Sequence, residues 1–434
     1  MLDIKFIREN KEAVKDAVKK KYLKADIERL LELDEKRRSL IQNSESIKAE
    51  QNKLSQKIAQ GKNNEDLEKS KELKGRFKEL EKELGAVEKE YWTLMMQVPN
   101  IPAPDTPLGP DDSANKEIAR WGQPRELDFE IKDHISLGKE LDIIDTETGV
   151  RISGFRGYYL KNEGAILHLA LLWYCWNKII KAGFKPMLGP TLVKEFVLYG
   201  SGHFPFGREE VYQINSSGDL TGGNQGKESL YLAGTSEPAL LAYFSDRTLA
   251  EKDLPMKVCS FSTCYRSEAG SYGKDTRGLY RLHEFAKVEQ VVLCKNDLVQ
   301  SNEWLEKMRG ISEDIMRDLE LPYRVVQNAS GDMGAGKYKM YDIETWMPSR
   351  ENFGETHSDS NLTDWQSRRL NIKYKDARGE TKFVHALNNT VIASPRILIA
   401  ILENNQQPDG SIEVPKVLRD LCGFKKISPS TSSG

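Results

Sequence analysis

Apolar residues recur every seven positions through much of the first hundred residues. The repeating positions are Leu33, Leu40, Ile47 and Leu54 before a polar break at 61–64, and Leu73, Phe77, Leu80, Leu84, Val87, Tyr91 and Leu94 after it. Heptad spacing predicts two helices packed along a coiled-coil seam, and the short polar turn makes them antiparallel. We predict a coiled coil over about 27–97, roughly 50 Å long, after a shorter amphipathic helix around 4–18.

Prolines crowd into the dozen residues that follow the coiled coil. They are Pro99, Pro102, Pro104, Pro107 and Pro110. Because proline fixes its own backbone and lacks an N–H donor, this density predicts a stiff linker at a domain boundary. The predicted division is a helical arm at 1–98, a linker at 99–119, a second domain at 120–424 and a disordered tail at 425–434.

Short β-type runs alternate with helical ones beyond the linker. Strands are predicted at 211–214, 257–261, 286–293, 323–326 and 338–343, and helices at 165–182 and 396–403. Hairpins and long loops separate the strands, which favours an antiparallel sheet with packed helices, an α+β fold, over a βαβ winding. No glycine-rich Rossmann or P-loop sequence opens a helix, so neither of those nucleotide sites is indicated.

Charge is abundant but balanced, with 64 basic and 66 acidic residues among 434. Any affinity for nucleic acid must therefore reside in a local patch. Residues 51–78 supply one, because they hold eight basic residues against four acidic ones: Lys53, Lys57, Lys62, Lys69, Lys71, Lys74, Arg76 and Lys78. A solvated coiled coil and a rod that binds a folded RNA backbone both fit this pattern, and the concentration of charge at the tip favours the rod.

Cysteine and histidine usage limits the compartment and the metals. The five cysteines are scattered, odd in number and without a C-x-x-C pair, which disfavours disulfides and zinc. The six histidines show no E-x-x-H spacing, so no zinc cofactor is expected. The chain starts without an apolar signal core, and its apolar run at 165–176 is too short to cross a bilayer. We therefore expect a cytoplasmic protein without membrane segments.

The densest group of reactive side chains lies within residues 264–290. This segment reads as a strand ending in Arg266 and Glu268, a glycine-rich loop and a return strand with Arg281, Phe285, Lys287 and Glu289. Residues two apart on a strand share a face. Arg266 and Glu268 are therefore expected to point to the same side of their strand, and so are Arg281, Phe285, Lys287 and Glu289 on the return strand. Arginine suits phosphate or carboxylate, a carboxylate can accept from an amine, and an aromatic ring can stack on a base. A nucleotide pocket and an ordinary salt-bridge ladder both remain open.

Two further clusters carry weaker signals. Glu355 and Ser358, three residues apart on a predicted strand, can complete a magnesium shell with phosphates, although such pairs are common on surfaces. Arg396 stands in the first turn of an apolar helix, where a cation opposes the helix dipole. That conflict indicates a compensating polyphosphate or stacking ring, or else an ordinary surface carboxylate.

In this order, after a helical hairpin, the clusters resemble those of bacterial-type seryl-tRNA synthetases, which belong to class II of the aminoacyl-tRNA synthetases. The likeness extends from Met1 to Leu421. Its most specific parts are R-S-E-A-G with G-K-D-T-R-G-L-Y-R-L-H-E-F-A-K-V-E-Q (266–290), E-T-H-S-D-S-N-L-T-D-W-Q-S-R-R (355–369), and L-N-N-T with P-R-I-L-I-A-I-L-E-N (387–404). They resemble motif 2, the metal-binding strand and motif 3. Residues 183–190 resemble motif 1, whose proline lies at the dimer interface in that class.

The resemblance implies activation of L-serine with ATP and transfer of serine to serine tRNA, and also to selenocysteine tRNA. It implies Arg266, Glu268 and Arg396 as catalytic residues. The implied serine contacts are Thr235, Ser236, Glu237, Arg266, Glu289, Asn388 and Thr390. The implied ATP contacts are Arg266, Ser267, Glu268, Arg281, Phe285, Glu355, Thr356, His357, Ser358 and Arg396, with Mg²⁺ on Glu355 and Ser358.

The same resemblance implies a homodimer whose coiled coil grips the long variable arm of serine tRNA. The sequence departs from the family pattern at Pro238, at Glu284 and in the glycine-rich stretch 216–226. Two other functions stay open: a paralogue that passes an aminoacyl-adenylate to a carrier protein, and a non-catalytic RNA-binding coiled-coil protein. The basic hairpin disfavours the first, and the intact motif residues disfavour the second.

Overall fold

The chain folds as two units, Met1–Pro99 and Asn100–Gly434, in a computed structural model that describes residues 1–61, 63–126, 128–214, 229–269 and 277–429. Four features predicted from sequence lie wholly or partly outside the described residues: Lys62, the glycine-rich stretch 216–226, most of the glycine-rich loop after Glu268, and residues 430–434 of the predicted tail. The first unit contains the helices α1 (Ile4–Glu9), α2 (Lys11–Lys20), α3 (Ile27–Gln60) and α4 (Asn64–Met95).

The long helices α3 and α4 pack along the predicted seam. Its buried members are Leu33, Leu40, Ile47 and Leu54 on α3, and Leu73, Val87 and Tyr91 on α4. Ion pairs cross between the helices, Arg29 with Glu90 at 2.8 Å and Lys69 with Glu50 at 2.9 Å. Residue numbers rise on one helix as they fall on the other, so the pair is antiparallel.

The amphipathic helix predicted around 4–18 is instead two helices, because α1 ends at Glu9 and Asn10 caps it. The Asn10 side-chain amide donates to the Phe6 carbonyl at 3.1 Å, and this local bond competes with helix continuation.

The second unit is a mixture of helices and strands. Its helices are α5 (His134–Glu140), α6 (Thr146–Ser153), α7 (Asn162–Lys181), α8 (Glu195–Ser201), α9 (Glu237–Ala242), α10 (Leu298–Asp318), α11 (Trp365–Arg369), α12 (Arg396–Asn404) and α13 (Arg419–Cys422). Its strands are β1 (Lys116–Trp121), β2 (Ile144–Asp145), β3 (Tyr159–Leu160), β4 (Lys185–Pro186), β5 (Leu192–Lys194), β6 (Gln213–Ile214), β7 (Leu230–Leu232), β8 (Thr248–Ala250), β9 (Met256–Tyr265), β10 (Glu284–Cys294), β11 (Tyr323–Gln327), β12 (Lys339–Met347), β13 (Asn352–Asn361), β14 (Lys373–Lys375), β15 (Thr381–Phe383), β16 (His385–Ser394), β17 (Ile412–Glu413) and β18 (Lys426–Ile427).

One large sheet organises this unit, with the strand order β1-β11-β12-β13-β16-β10-β9-β4. Each neighbouring pair is antiparallel except β4 and β9, which run parallel. Apolar side chains of α7, α10 and α12 join those of the central strands in one core. The predicted α+β fold, a helical arm plus an antiparallel sheet with packed helices, is confirmed.

The two faces of the sheet differ at its centre, because one packs against α10 and the other carries polar side chains. On one face the Asn389 amide donates to Gln290 at 3.0 Å and to the Met308 carbonyl of α10 at 3.2 Å. Neighbouring residues on a strand point to opposite faces. Thr390 and Glu289 accordingly meet on the other face, where the threonine hydroxyl donates to the carboxylate at 3.1 Å. Polar side chains thus gather on the face that α10 leaves open.

Both ends of the second unit differ from the predicted boundaries. The Asn100 amide donates to the carbonyls of Gly336 and Leu362, and β1 begins at Lys116, so the segment predicted as a linker packs as part of this unit. Within the tail predicted at 425–434, Lys426–Ile427 pairs with Ile412–Glu413 and buries Ile427. Among the described residues, no helix combines the length and apolar character needed to cross a membrane.

Candidate active site

A cavity of about 260 Å³ opens over β10, β13 and β16 on that polar face. Most of the side chains predicted to bind substrates line it: Thr235, Glu237, Arg266, Glu268, Arg281, Phe285, Glu289, Glu355, Thr356, His357, Ser358, Asn388, Thr390 and Arg396. Ser236 and Ser267 are not among the lining residues. The Ser267 backbone and side chain bond instead to the carbonyls of Glu210 and Glu209.

Arg266 and Glu268 do not lie on a strand as predicted, because β9 ends at Tyr265. The Arg266 N–H still donates to the His283 carbonyl at 3.0 Å, and the His283 ring lies 2.9 Å from the Arg266 carbonyl. Glu268 adopts a φ of 53°, in the left-handed region. The chain therefore turns after Arg266, and the turn rather than strand alternation brings both side chains to the cavity.

Glu268 forms an ion pair with Arg281 across the hairpin, at 3.1 Å. The Arg266 guanidinium lies 5.5 Å from the centre of the Phe285 ring. This end of the cavity thus offers two guanidiniums, one carboxylate and an aromatic face, a set suited to a nucleotide.

A buried ionic cluster forms the other end of the cavity. The Lys287 ammonium lies 3.2 Å from a Glu289 carboxylate oxygen, and the two side chains are 6% and 1% exposed. The ammonium also donates to the Thr235 hydroxyl at 3.2 Å, and Thr390 donates to the same carboxylate oxygen at 3.1 Å. The carboxylate thus already binds one ammonium and one hydroxyl, the two polar groups that serine combines with a carboxylate.

Two titratable groups lie beside this cluster with displaced pKa values. Burial raises the pKa of Glu237 to about 7, although Gln366 donates to its carboxylate at 2.6 Å. Burial, assisted by Arg266, lowers the pKa of His203 to about 3, so this ring is neutral at physiological pH. Low solvation favours the uncharged form in both cases.

A β-bulge brings Glu355 and Ser358 to the same cavity. Residues three apart in a regular strand point to opposite faces. In β13, however, Thr356 is an extra residue, since Ile343 pairs with His357 and Glu344 pairs with Glu355. The bulge restores the matching orientation of Glu355 and Ser358, which both line the cavity.

The charge state of Glu355 is set by its neighbours. Partial desolvation favours the neutral acid, but the guanidiniums of Arg396 and Arg266 outweigh it and hold the pKa of Glu355 below its ordinary value. Nearby, burial and the Glu355 charge raise the pKa of Asp342 well above its ordinary range. Glu355 is therefore the ionised carboxylate of this pair.

Arg396 occupies the first position of α12 and faces both an acid and a ring. Its Nη1 lies 3.3 Å from a Glu355 carboxylate oxygen and donates to the Glu355 carbonyl at 2.9 Å. Its guanidinium stacks 4.4 Å from the Tyr280 ring centre. The conflict with the helix dipole is therefore offset within the protein by a carboxylate of the cavity itself.

Three titratable residues of the cavity were not predicted from the sequence: His203, Tyr280 and Lys337. Lys287, which strand alternation with Phe285 and Glu289 predicted to face the same cleft, also lines the cavity. Tyr280 directly precedes Arg281 and could be found only once Arg396 was known to stack on it. His203 and Lys337 reach the cavity from separate loops, so no local pattern points to them.

The second unit resembles class II synthetases in sequence and fold. Residues 217–405 match the tRNA synthetase class II core domain (G, H, P, S and T). The crystal structure of seryl-tRNA synthetase from Pyrococcus horikoshii complexed with ATP superposes with a TM-score of 0.88 at 37% identity, covering 99% of this chain and 100% of that one. Cytoplasmic serine-tRNA ligase from Naegleria fowleri in complex with AMP gives 0.85 at 31% identity, covering 99% of each chain. The catalytic unit is thus a class II aminoacyl-tRNA synthetase core.

The arm and a full-length relative narrow the class to one family. Residues 1–102 match the seryl-tRNA synthetase N-terminal domain. Serine–tRNA ligase of Treponema denticola is 42% identical over 434 residues, which are 98% of this chain and 100% of that protein. The chain belongs to the seryl-tRNA synthetase family, as its sequence motifs predicted. Its activity is that of a serine–tRNA ligase, with serine and serine tRNA as substrates.

Proposed function

We propose that Arg266 joins the two substrates of the first step. The observation that carries this assignment is that Arg266 lines the same cavity as the Lys287–Glu289 and Glu268–Arg281 pairs, with its guanidinium 5.5 Å from the centre of the Phe285 ring. A serine carboxylate oxygen attacks the α-phosphorus of ATP, the bond to the bridging oxygen breaks, and pyrophosphate leaves with that electron pair. Arg266 contacts the serine carboxylate and the α-phosphate, and it stabilises the charge that develops between them.

The buried ionic cluster holds serine in this proposal. Glu289 and Thr235 bind the ammonium, while Thr390, near Asn388, binds the hydroxyl. The Thr390 hydroxyl already donates to Glu289 at 3.1 Å, so its orientation is fixed before serine arrives. A site that pairs a substrate hydroxyl rejects alanine, because buried polar groups would be left unpaired.

The opposite end holds the nucleotide. Glu268 accepts from the adenine amine, the base stacks between Phe285 and Arg396, and Arg281 and Arg396 bind the γ-phosphate. Glu355 and Ser358 suit Mg²⁺, since the bulge brings an ionised carboxylate and a hydroxyl to one wall of the cavity. When bound there, Mg²⁺ would offset the negative charge of the phosphates.

The arm binds the tRNA in this proposal. The tip residues Lys53, Lys57, Lys69, Lys71, Lys74, Arg76 and Lys78 are all exposed. They form a row of cations suited to the phosphates of the long variable arm of serine tRNA, and selenocysteine tRNA would be a further substrate. The 3′-terminal ribose hydroxyl of the tRNA then attacks the adenylate carbonyl carbon and releases AMP.

We also propose a homodimer, on the basis of an exposed apolar face of α7. Ile166, Leu169 and Trp173 follow one another at helical spacing and are 44%, 61% and 51% exposed. Leu188, in the segment that resembles motif 1, is 70% exposed. An apolar stripe of this kind marks an interaction surface. Light scattering should give a dimer for the native chain and a monomer for Leu169→Glu; a monomeric native chain would refute the proposal.

The residue assignments are tested by serine-dependent ATP–pyrophosphate exchange and by charging of serine tRNA. Arg266→Ala should abolish exchange in a protein that still folds, whereas native-like exchange would reject the central assignment. Deletion of residues 30–94 should abolish charging and leave exchange largely intact. Exchange by the native chain without tRNA charging would favour the carrier-protein paralogue, and no exchange with any amino acid would favour the non-catalytic alternative.

A further inference from the structure

Helix α12 carries two polar residues that act on the same loop. Arg396 opens the helix and Glu403 lies seven residues later, two turns away on the same face and about 10 Å along the axis. Arg396 reaches the carbonyl of Tyr280 at 3.3 Å and stacks on its ring. Glu403 is fully buried and approaches the same loop through a histidine.

The Glu403 carboxylate accepts three hydrogen bonds from N–H groups of two other segments. One oxygen lies 2.9 Å from His134 Nδ1 and accepts from the His134 backbone N–H at 3.0 Å. The other oxygen accepts from the Ser349 backbone N–H at 3.0 Å. Three donors on one buried carboxylate offset its desolvation and fix its orientation.

The second nitrogen of His134 receives a hydrogen bond from the nucleotide loop. The Leu279 backbone N–H donates to Nε2 at 3.1 Å. Nε2 must therefore carry a lone pair, which puts the ring proton on Nδ1, facing Glu403. The ring is thus a neutral bridge that accepts from the loop and donates to the helix.

The loop packs directly onto this bridge. Gly278 has a φ of 76°, and a Cβ built on it would lie 2.2 Å from His134 Nε2, so a side chain cannot be accommodated while the ring stays in place. Beyond Leu279, the Tyr280 ring contacts two guanidiniums, Arg396 at 4.4 Å and Arg350 at 4.3 Å from its centre. Arg350 follows Ser349, so Glu403 is connected to both residues that contact this ring.

We propose that His134 and Glu403 are positioning residues that hold the loop 278–281 in the geometry that binds ATP. They do not line the cavity and touch no reacting atom. They act by fixing the position of the Leu279 N–H. This in turn fixes the Tyr280 ring and carbonyl, which contact Arg396, and the backbone of Arg281. This inference rests on the proposed assignment of Arg396 and Arg281 to ATP.

The test compares KM for ATP with KM for serine in pyrophosphate exchange. His134→Ala should raise KM for ATP about tenfold, which corresponds to about 1.4 kcal/mol, and change KM for serine less than about twofold. His134→Gln should recover most of the loss, because its amide can accept from Leu279 and donate to Glu403. His385→Gln is the matched control: His385 is also buried, and its ring lies 3.0 Å from Ser301 on the far side of the sheet.

The outcomes separate the alternatives. An ATP-selective defect rescued by glutamine supports the proposal. A lower Tm with native KM values, or equal increases for ATP and serine, would overturn it and leave a purely structural role. Should His134→Ala fail to fold, Gly278→Ala disturbs the same contact from the side of the loop. A native KM for ATP in Gly278→Ala would also overturn the proposal. Arg396→Ala distinguishes failure of this inference from failure of the proposed function, because a native KM for ATP in that variant would reject the assignment of Arg396 to the nucleotide.

Discussion

Removing both partners of the Lys287–Glu289 pair should destabilise the second unit by clearly less than the sum of the two single removals. At 3.2 Å and an effective dielectric constant near 20, the attraction between the charges is about 5 kcal/mol. Both side chains are almost fully buried, so a single substitution leaves one charge without its partner. We expect Lys287→Met and Glu289→Gln each to cost about 3–5 kcal/mol. The double variant should lose clearly less than the sum, with a coupling of about 2–3 kcal/mol.

Urea unfolding followed by tryptophan fluorescence measures this cycle. Six of the seven tryptophans lie beyond residue 100, so the signal reports on the second unit. The pair Lys416–Glu320, also close at 3.0 Å but 71% and 62% exposed, provides the control cycle, and its coupling should be indistinguishable from zero. Additive single effects at Lys287 and Glu289, or a coupling no larger than in the control, would refute the view that they form a buried and mutually dependent pair.

Three further predictions follow from the site and the arm. Glu237 has a pKa of about 7 against an ordinary 4.5, so the free energy of unfolding should fall by about 3 kcal/mol as pH rises from 4.5 to 7. Glu237→Gln should abolish that loss in urea melts, and parallel pH profiles for the native chain and the variant would contradict the prediction. Thr390→Val should reduce the preference for serine over alanine in pyrophosphate exchange by about tenfold or more, whereas undiminished preference would exclude the proposed hydroxyl contact. The triple variant Lys71→Ala, Lys74→Ala, Arg76→Ala should raise KM for tRNA and weaken its salt dependence while exchange stays native, and an unchanged salt slope would count against phosphate contacts.

Residues at regular spacing could be predicted because burial repeats with the period of the element. The heptads of the arm and the alternation of Phe285, Lys287 and Glu289 are examples, and the structure buries or faces them as the period requires. Such patterns depend only on whether each side chain faces solvent or core, and the spacing of apolar residues along the sequence shows this.

Sequence reasoning was wrong where one residue breaks the period. Glu268 has a positive φ, and a glutamate side chain does not predict this backbone conformation. The extra residue Thr356 in β13 and the register shift between β10 and β16 beside Glu289 are likewise invisible as patterns. The bulge at Thr356 adjoins the cavity because a regular strand cannot aim Glu355 and Ser358, three residues apart, at one ligand. His203 and Lys337 were missed for a different reason, since only the tertiary fold brings their loops together.

Three cations of the cavity are paired with carboxylates of the same cavity. Arg281 lies on Glu268, Arg396 on Glu355 and Lys287 on Glu289. In the proposed assignment, each acid has a cationic or amine partner in the bound complex: the adenine amine, Mg²⁺ and the serine ammonium. ATP and Mg²⁺ together can therefore replace the Arg281–Glu268 and Arg396–Glu355 ion pairs without leaving either arginine or either acid unpaired, because the γ-phosphate binds both guanidiniums. Either one alone would satisfy only some of these groups, so this pairing favours binding of the two together over binding of one.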